Sequence, residues 1–180
     1  IVGKDILRFH AVYWPAFLLA ADIDLPKKIF AHGWWTIDGE KMSKSKGNVI
    51  DPYKLVKKYN PDLIRYFLLR EIPFGQDGNF SESLLIRRIN SELSNGYGNL
   101  VQRVLAMIFK YFNGKVPKLD NMNDKDKQFL AMPSKSLDKI RKLMDALQFH
   151  AAIEEILVII RASNLYVDNS EPWVLAKKDI

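Results

Sequence analysis

Cysteine is absent from the 180 residues of this sequence, which excludes disulfides and thiolate metal sites within it. The three histidines, His10, His32 and His150, are too few and too scattered to form a zinc cluster, so we expect no metal site. No apolar stretch is long enough to span a membrane, and the start lacks the basic-then-apolar pattern of a signal peptide. We therefore expect a cytoplasmic protein without a membrane partner.

Acidic residues are also in short supply. The sequence has 27 Lys and Arg against 21 Asp and Glu, and this net charge of +6 suits a nucleic-acid partner without proving one. The hydrophobic fraction of 48% is enough for a proper core. The chain begins Ile1-Val2-Gly3 without an initiator methionine, so we expect a segment of a longer protein.

The first part of the sequence predicts both helix and strand. Residues 5–21 have crowded apolar positions, which predicts a mostly buried helix, and Pro15 predicts a kink in it. Residues 29–32 and 34–37 are rich in β-branched and aromatic side chains, which favours strands. Asp38-Gly39 is typical of a tight hairpin turn, so the chain should return along the second strand.

The remaining sequence predicts mainly helices. Asp51-Pro52 and Asn60-Pro61 each combine a capping side chain with a proline in the first helical turn. Residues 73–78 are rich in turn formers, and we place a domain boundary there. Beyond it the helical segments are expected over 81–112, 134–147, 150–167 and from about 170. We therefore predict an α/β part over 1–78, followed by an all-α helical bundle over 79–180.

A cationic pentapeptide is the strongest local signal. Lys41-Met42-Ser43-Lys44-Ser45 is followed by Lys46 and Gly47, and no acidic residue lies between Lys41 and Val49. Ammonium and hydroxyl groups can bind a polyphosphate, and Gly47 gives the backbone freedom to close over it. On composition alone, a solvated lysine-rich loop is the alternative.

One face of the first helix carries candidate binding residues. Ile6, His10 and Trp14 have i, i+4, i+8 spacing and therefore share a face. They could form one wall of a small pocket, in which His10 supplies a polar contact. A buried histidine beside core aromatic residues is the alternative.

A second polar face lies in the predicted bundle. Asn95, Asn99 and Arg103 have the same spacing and extend over about 12 Å of helix. Amide and guanidinium groups can read the edges of unstacked RNA bases, and Trp173 could stack on one base. The alternative is a solvated polar stripe and a core tryptophan.

Several strings together resemble the methionyl-tRNA synthetases, a family of class I aminoacyl-tRNA synthetases. They are FHAVYWPA at 9–16, HGW at 32–34 and KMSKS at 41–45. The lysine pentapeptide marks class I in general, and the first string narrows the resemblance to the methionine enzymes. Residues 95–103 and 171–173 look like the anticodon-reading segments of that family.

This resemblance implies the C-terminal end of a Rossmann-type catalytic domain, joined to an anticodon-binding helical domain. The implied activity is methionine–tRNA ligase: ATP, carried with Mg²⁺, activates methionine to methionyl-adenylate, which is transferred to tRNA(Met). Lys44, and behind it Lys41, would stabilise charge on the triphosphate as pyrophosphate leaves. The other implied ATP contacts are Met42, Ser43, Ser45, His32 and Trp35.

The resemblance also implies binding roles for the residues on the two helical faces. Ile6, His10 and Trp14 would line the pocket for the methionine side chain, whose thioether packs well against aromatic rings. The residues implied to read the CAU anticodon loop of tRNA(Met) are Asn95, Asn99, Arg103 and Trp173.

One family motif is missing from this sequence. The HIGH-type motif, whose histidines support ATP, has no counterpart, because Phe9-His10 and His32-Gly33 do not have that form. We therefore expect a C-terminal fragment that does not aminoacylate by itself. A non-catalytic tRNA-binding module of the same architecture is the alternative.

Overall fold

The computed structural model describes residues 1–37, 39–43, 45, 47–119 and 121–177. The chain forms two compact units, Ile1–Leu85 and Ile86–Ile180. The first unit contains both strands and helices, and the described part of the second unit is helical, which confirms the predicted fold class. Among the described helices, none combines the length and apolar character that a membrane crossing requires.

The strands of the first unit form two small sheets. Their bounds are β1 (Val2–Gly3), β2 (Ala31–His32), β3 (Trp35–Ile37), β4 (Glu40–Lys41) and β5 (Gly78–Phe80). β1 pairs in parallel with β2, whereas β3 lies between antiparallel β4 and parallel β5.

The hairpin between β3 and β4 agrees with its sequence signal. Ile37 pairs with Glu40, which leaves two residues for the turn. Gly39 has a φ of 78°, a conformation that glycine adopts without steric cost. Asp38, the other residue of the predicted turn, lies outside the described residues. The hairpin directs the chain from β4 into the lysine loop.

The helices that begin in the first unit are α1 (Trp14–Ala20), α2 (Pro52–Lys58), α3 (Pro61–Arg70) and α4 (Glu82–Arg88). Both predicted helix starts are confirmed. Asp51 accepts a hydrogen bond from the Tyr53 N–H at 2.9 Å, and Asn60 accepts one from the Asp62 N–H at 2.8 Å. Each side chain satisfies a backbone donor that has no partner within its helix.

An aromatic cluster forms the core of the first unit. Phe67 of α3 is fully buried, and its ring centroid lies 5.8 Å from that of Trp35 and 5.6 Å from that of Phe80. Burying one such side chain contributes roughly 1.5–3 kcal/mol. The cluster therefore fixes β3 and β5 against α3, and with them the segments that carry the candidate site.

The first helical segment differs from its prediction. It consists of a 3₁₀ turn (Lys4–Ile6), a π-helical stretch (Phe9–Tyr13) and α1. The π-helical stretch ends two residues before Pro15, which has no N–H for a regular helical hydrogen bond. The expectation of a mostly buried helix is wrong, since Phe9 is 59% exposed and Phe17 is 71% exposed. Burial requires a facing surface, and the described residues of this unit leave these side chains largely uncovered.

The helices of the second unit are α5 (Asn99–Phe112), α6 (Asp124–Asp145), α7 (Phe149–Ser170) and α8 (Pro172–Leu175), and a π-helical stretch (Ile89–Gly98) precedes α5. α6 packs on α7, where the rings of Phe129 and Tyr166 stack at 4.2 Å. The Tyr166 hydroxyl donates to Asp126 Oδ1 at 2.7 Å. This bond raises the pKa of Tyr166 and lowers the pKa of the Asp126 carboxyl.

The predicted start of α6 at residue 134 is wrong. The helix begins at Asp124 after a capping box, in which Asn123 and Asp126 each bond the backbone of the other. Pro133 lies inside the helix rather than before it. The cap and the packing of Phe129 on α7 therefore outweigh the helix-breaking tendency of proline.

Candidate functional site

The described part of the lysine loop is bridged by one amide side chain. Asn48 Nδ2 donates to the Lys41 carbonyl at 3.3 Å, and Asn48 Oδ1 accepts from the Ser43 N–H at 2.8 Å. The hydroxyls of Ser43 and Ser45 are hydrogen-bonded to each other at 2.7 Å, and Met42 is half-buried. Lys44, the residue with the main expected catalytic role, lies outside the described residues. The sequence argument missed Asn48, although its position just after the loop glycine was available as a signal.

Lys41 lies against an aromatic ring. Its Nζ is 4.3 Å from the centroid of Trp34, and Lys4 Nζ is 4.1 Å from the same centroid. Lys4 also forms an ion pair with Asp77 at 2.5 Å, and the Trp34 N–H donates to Asp77 Oδ1 at 2.8 Å. The Lys4 hydrogen bond, followed by the Trp34 bond, lowers the pKa of Asp77. Trp34 thus contacts the first loop lysine and is itself in contact with Lys4 and Asp77. None of these three residues was predicted as a site residue.

His32 and Trp35, two of the predicted ATP contacts, line the same slot. The slot has a volume of about 260 Å³, and its wall includes Leu68, Phe74 and Gly75. The His32 ring stacks on Phe74 at 6.1 Å, and its Nδ1–H donates to the Gly33 carbonyl at 2.8 Å. The slot is mostly apolar with a polar imidazole at one side, which suits a flat heteroaromatic group.

The backbone approaches closely beside this slot. A Cβ atom at Gly33 would lie 2.2 Å from the Gln76 carbonyl oxygen, so no larger residue fits without displacing the backbone. Gly33 is buried, and it brings the segment after β2 against the segment that leads into β5. The glycine therefore helps to set the width of the slot.

Two of the three predicted methionine contacts come together. The rings of His10 and Trp14 meet edge to face at 6.1 Å, and both line a surface depression of about 390 Å³. Phe9, Tyr13 and Phe17 complete its lining, and Ile6 is not part of it. Instead, the Ile6 carbonyl accepts the His10 Nδ1–H at 2.9 Å, which orients the imidazole. A π-helix has more residues per turn than an α-helix, so residues with i, i+4, i+8 spacing no longer lie on the same face.

The predicted base-reading residues occupy one region of the second unit. Asn95 and Asn99 are exposed on the π-helical stretch and at the start of α5. Arg103 Nη2 donates to Asp168 Oδ1 of α7 at 2.5 Å, and its guanidinium lies 5.9 Å from the Trp173 ring centroid. Arg103 and Trp173 are therefore brought together by tertiary packing, and Asp168 is a partner that the sequence argument missed.

The described residues contain no group of three or more His, Asp or Glu side chains arranged to hold a metal ion.

Comparisons with known proteins give the family. Residues 1–105 match the family described as tRNA synthetases class I (M). A methionine–tRNA ligase of Caldanaerobacter subterraneus subsp. tengcongensis is 50% identical over 179 residues, and one of Rickettsia felis is 52% identical over 182 residues. Each comparison covers 99% of this chain, but only 28% and 36% of the respective relative. This chain therefore spans about a third of the length of the curated relatives that it matches.

Comparison with solved structures gives the same family. The crystal structure of Mycobacterium tuberculosis methionyl-tRNA synthetase bound by methionyl-adenylate matches with a TM-score of 0.92 and 48% identity. The match covers 98% of this chain and 34% of that protein. The apo form of the same enzyme matches with a TM-score of 0.88. The resemblance predicted from the sequence strings is thus confirmed, and this chain belongs to the family of tRNA synthetases class I (M).

Proposed function

We propose that the protein containing this chain is a methionine–tRNA ligase. It uses ATP to activate methionine as methionyl-adenylate and transfers the methionyl group to tRNA(Met), in the cytoplasm. The proposal extends the activity named for the relatives to this chain, which spans about a third of their length. The chain by itself is expected to be inactive, since it lacks a HIGH-type motif.

The observation that carries the proposal is the position of the lysine loop. The loop continues from β4, which pairs with β3, and Trp35 of β3 lines the slot that also contains His32. A nucleotide whose adenosine occupies this slot would direct its phosphates toward the neighbouring hairpin. Lys41 and Lys44 would then meet the triphosphate.

The chemistry needs charge stabilisation more than proton transfer. The methionine carboxylate attacks the α-phosphorus, the bond to the bridging oxygen breaks, and pyrophosphate leaves with the electron pair. Positioned ammonium groups stabilise the charge that develops on the phosphate oxygens. Ser43 and Ser45 bond each other, which fits a role in shaping the loop rather than a nucleophilic role.

The remaining residues divide between the two other substrates. We assign the depression at His10 and Trp14 to the methionine side chain, with Ile6 acting through its hydrogen bond to His10. In the second unit, the residues assigned to the CAU anticodon loop are Asn95, Asn99, Arg103 and Trp173. Residues 1–78 would thus serve catalysis, and 79–180 would serve anticodon binding.

Methionine-dependent exchange of pyrophosphate into ATP by the complete protein tests this proposal. Replacing Lys44 by alanine should lower the exchange rate by about 10²–10³, by analogy with the loss of one oxyanion donor. Lys46→Ala removes the same charge from the same loop and should have a much smaller effect. Equal exchange by the wild type and the Lys44→Ala variant would contradict the proposed mechanism. tRNA binding without any exchange by the wild type would favour a non-catalytic tRNA-binding module.

A further inference from the structure

Trp34 is the point where two ammonium groups converge. Lys41 Nζ and Lys4 Nζ lie 4.3 and 4.1 Å from the centroid of its indole ring. Tryptophan binds cations more strongly than the other aromatic side chains, because its ring face carries the most negative charge. Lys4 is already paired with Asp77, whereas Lys41 extends from the exposed strand β4 at the start of the loop. The indole is therefore a fixed contact for a loop residue.

The position of Trp34 is set by the sheet rather than by the loop. Its N–H donates to Asp77 Oδ1 at 2.8 Å, and its carbonyl accepts the Gly78 N–H at 2.9 Å. Gly78 begins β5, which pairs in parallel with β3. The backbone of Trp34, just before β3, is thus held against the start of β5, in a sheet that contributes Trp35 and Phe80 to the aromatic cluster.

Asn48 restrains the backbone of Lys41, whereas Trp34 contacts its ammonium group. Its amide donates to the Lys41 carbonyl at 3.3 Å and accepts from the Ser43 N–H at 2.8 Å. Gly47, just before it, has a φ of 67°, so the chain reverses there to bring Asn48 back to the start of the loop. Lys41 is consequently restrained twice, at its carbonyl by Asn48 and at its ammonium by Trp34.

We infer that Trp34 and Asn48 are positioning residues for Lys41. The inference rests on the proposed function, in which Lys41 meets the triphosphate of ATP. An ammonium group on a flexible four-carbon chain loses conformational entropy when it binds phosphate. Restraining Lys41 beforehand reduces this loss, so both residues act on ATP through Lys41 and not by contacting ATP.

A double-mutant cycle in the complete protein tests the role of Trp34, with methionine-dependent ATP–pyrophosphate exchange as the readout. Trp34→Leu should lower kcat/KM for ATP roughly two- to tenfold, as the loss of a cation–aromatic contact implies. Trp34→Tyr should recover most of this loss, and KM for methionine should not change. In a Lys41→Met background, Trp34→Leu should not lower kcat/KM for ATP any further. Should Trp34→Leu fail to fold, Trp34→Met, which also lacks an aromatic ring, enters the same cycle.

Asn48 is tested in the same assay. Asn48→Ala should lower kcat/KM for ATP roughly two- to tenfold, as expected for lost hydrogen bonds, and should also be neutral in the Lys41→Met background. Asn48→Asp keeps the acceptor for Ser43 but loses the donor to Lys41, so it should fall between the wild type and Asn48→Ala. Tyr111→Leu removes a different lysine–ring contact, with Lys110 at 5.2 Å, and should leave exchange unchanged.

The possible failures are distinguishable. In one outcome the wild type is active, but Trp34→Leu or Asn48→Ala lowers kcat/KM for ATP as much in the Lys41→Met background as in the wild type. In that case these residues do not act through Lys41, and the inference is overturned. A rise in kcat/KM for ATP with Trp34→Leu overturns it as well, because the ring would then be withholding Lys41 from ATP. A wild type without methionine-dependent exchange overturns the proposed function together with the inference.

Discussion

The Arg103 guanidinium lies 5.9 Å from the centroid of the Trp173 ring, while Asp168 holds one of its nitrogens at 2.5 Å. A guanidinium fixed by a carboxylate and an aromatic ring is presented with little conformational freedom. Such an arrangement is suited to reading a base edge, because less entropy is lost when the contact forms.

Arg103→Ala and Asn99→Ala should each weaken binding of a CAU anticodon stem-loop by about 1–3 kcal/mol, with a smaller effect on a loop of altered sequence. Fluorescence anisotropy with both RNAs, using the complete protein at several salt concentrations, measures this difference. Lys110→Ala removes a cation from the same helix and should weaken the binding of both RNA loops equally. Equal losses for both loops with Arg103→Ala would reduce Arg103 to a general phosphate contact.

Trp14→Ala should raise KM for methionine in the complete protein, because the indole forms part of the depression shared with His10. We expect a rise of roughly tenfold or more, given about 3–5 kcal/mol for truncating a fully packed tryptophan and a smaller cost at a partly open site. Leu19→Ala, on the same helix but outside the depression, should leave this KM unchanged. An unchanged KM for Trp14→Ala would remove Trp14 from the methionine pocket.

The ion pair between Lys4 and Asp77 should make stability depend on pH. The pKa of Asp77 is lowered in the folded state from an ordinary value of 3.8, so its stabilising contribution is present above that value. The contribution is lost as the pH falls through the folded pKa, because the carboxyl then becomes protonated.

Urea unfolding of the chain at a series of pH values checks this expectation. Asp77→Asn keeps an acceptor for the Trp34 N–H but loses the charge, so the variant should be less stable than the wild type near neutral pH. The difference should shrink as the pH falls below about 4. Asp138→Asn removes the same charge from an exposed pair with Arg141 and serves as the control. A difference between wild type and Asp77→Asn that is independent of pH would show that the ion pair is not responsible.

Asn164 ties α7 to the π-helical stretch. Its Nδ2 donates to the Gly96 carbonyl at 3.0 Å and to the Ile160 carbonyl at 3.2 Å. Asn164→Leu should lower the free energy of unfolding by about 1 kcal/mol, since the contact to Gly96 is lost at a half-buried position. Ser163→Ala removes only a bond within α7, to Ile159, and should cost less in the same urea titration. A larger loss for Ser163→Ala than for Asn164→Leu would show that the bond to Gly96 contributes little.

Several elements could be predicted because their signals are local. The Asp-Gly turn and the caps at Asp51 and Asn60 each depend on a few neighbouring residues, and the structure contains the corresponding hairpin and helix starts. The Asn123 capping box is an equally local signal, but the predicted helix start at residue 134 does not use it.

Other features could not be predicted from local signals. β5 contains Gly78 and Asn79, which are poor strand formers, and it exists because it pairs with β3. The exposure of the first helical segment depends on what faces it, which its own apolar pattern does not specify. The same holds for the contact of Lys41 with Trp34, since a ring and a lysine on different segments meet only after the sheet has formed.

The sequence by itself determined the family, the change from an α/β part to helices, and the identity of most candidate site residues, because these depend on short strings and on periodicity. Only the tertiary structure decided which of those residues meet. It joined Arg103 to Asp168 and Trp173, His32 to Trp35, and Lys41 to Trp34 and Asn48. The physical reason is that most of these contacts connect different segments, whose distances are set by strand pairing and core packing rather than by local sequence preference.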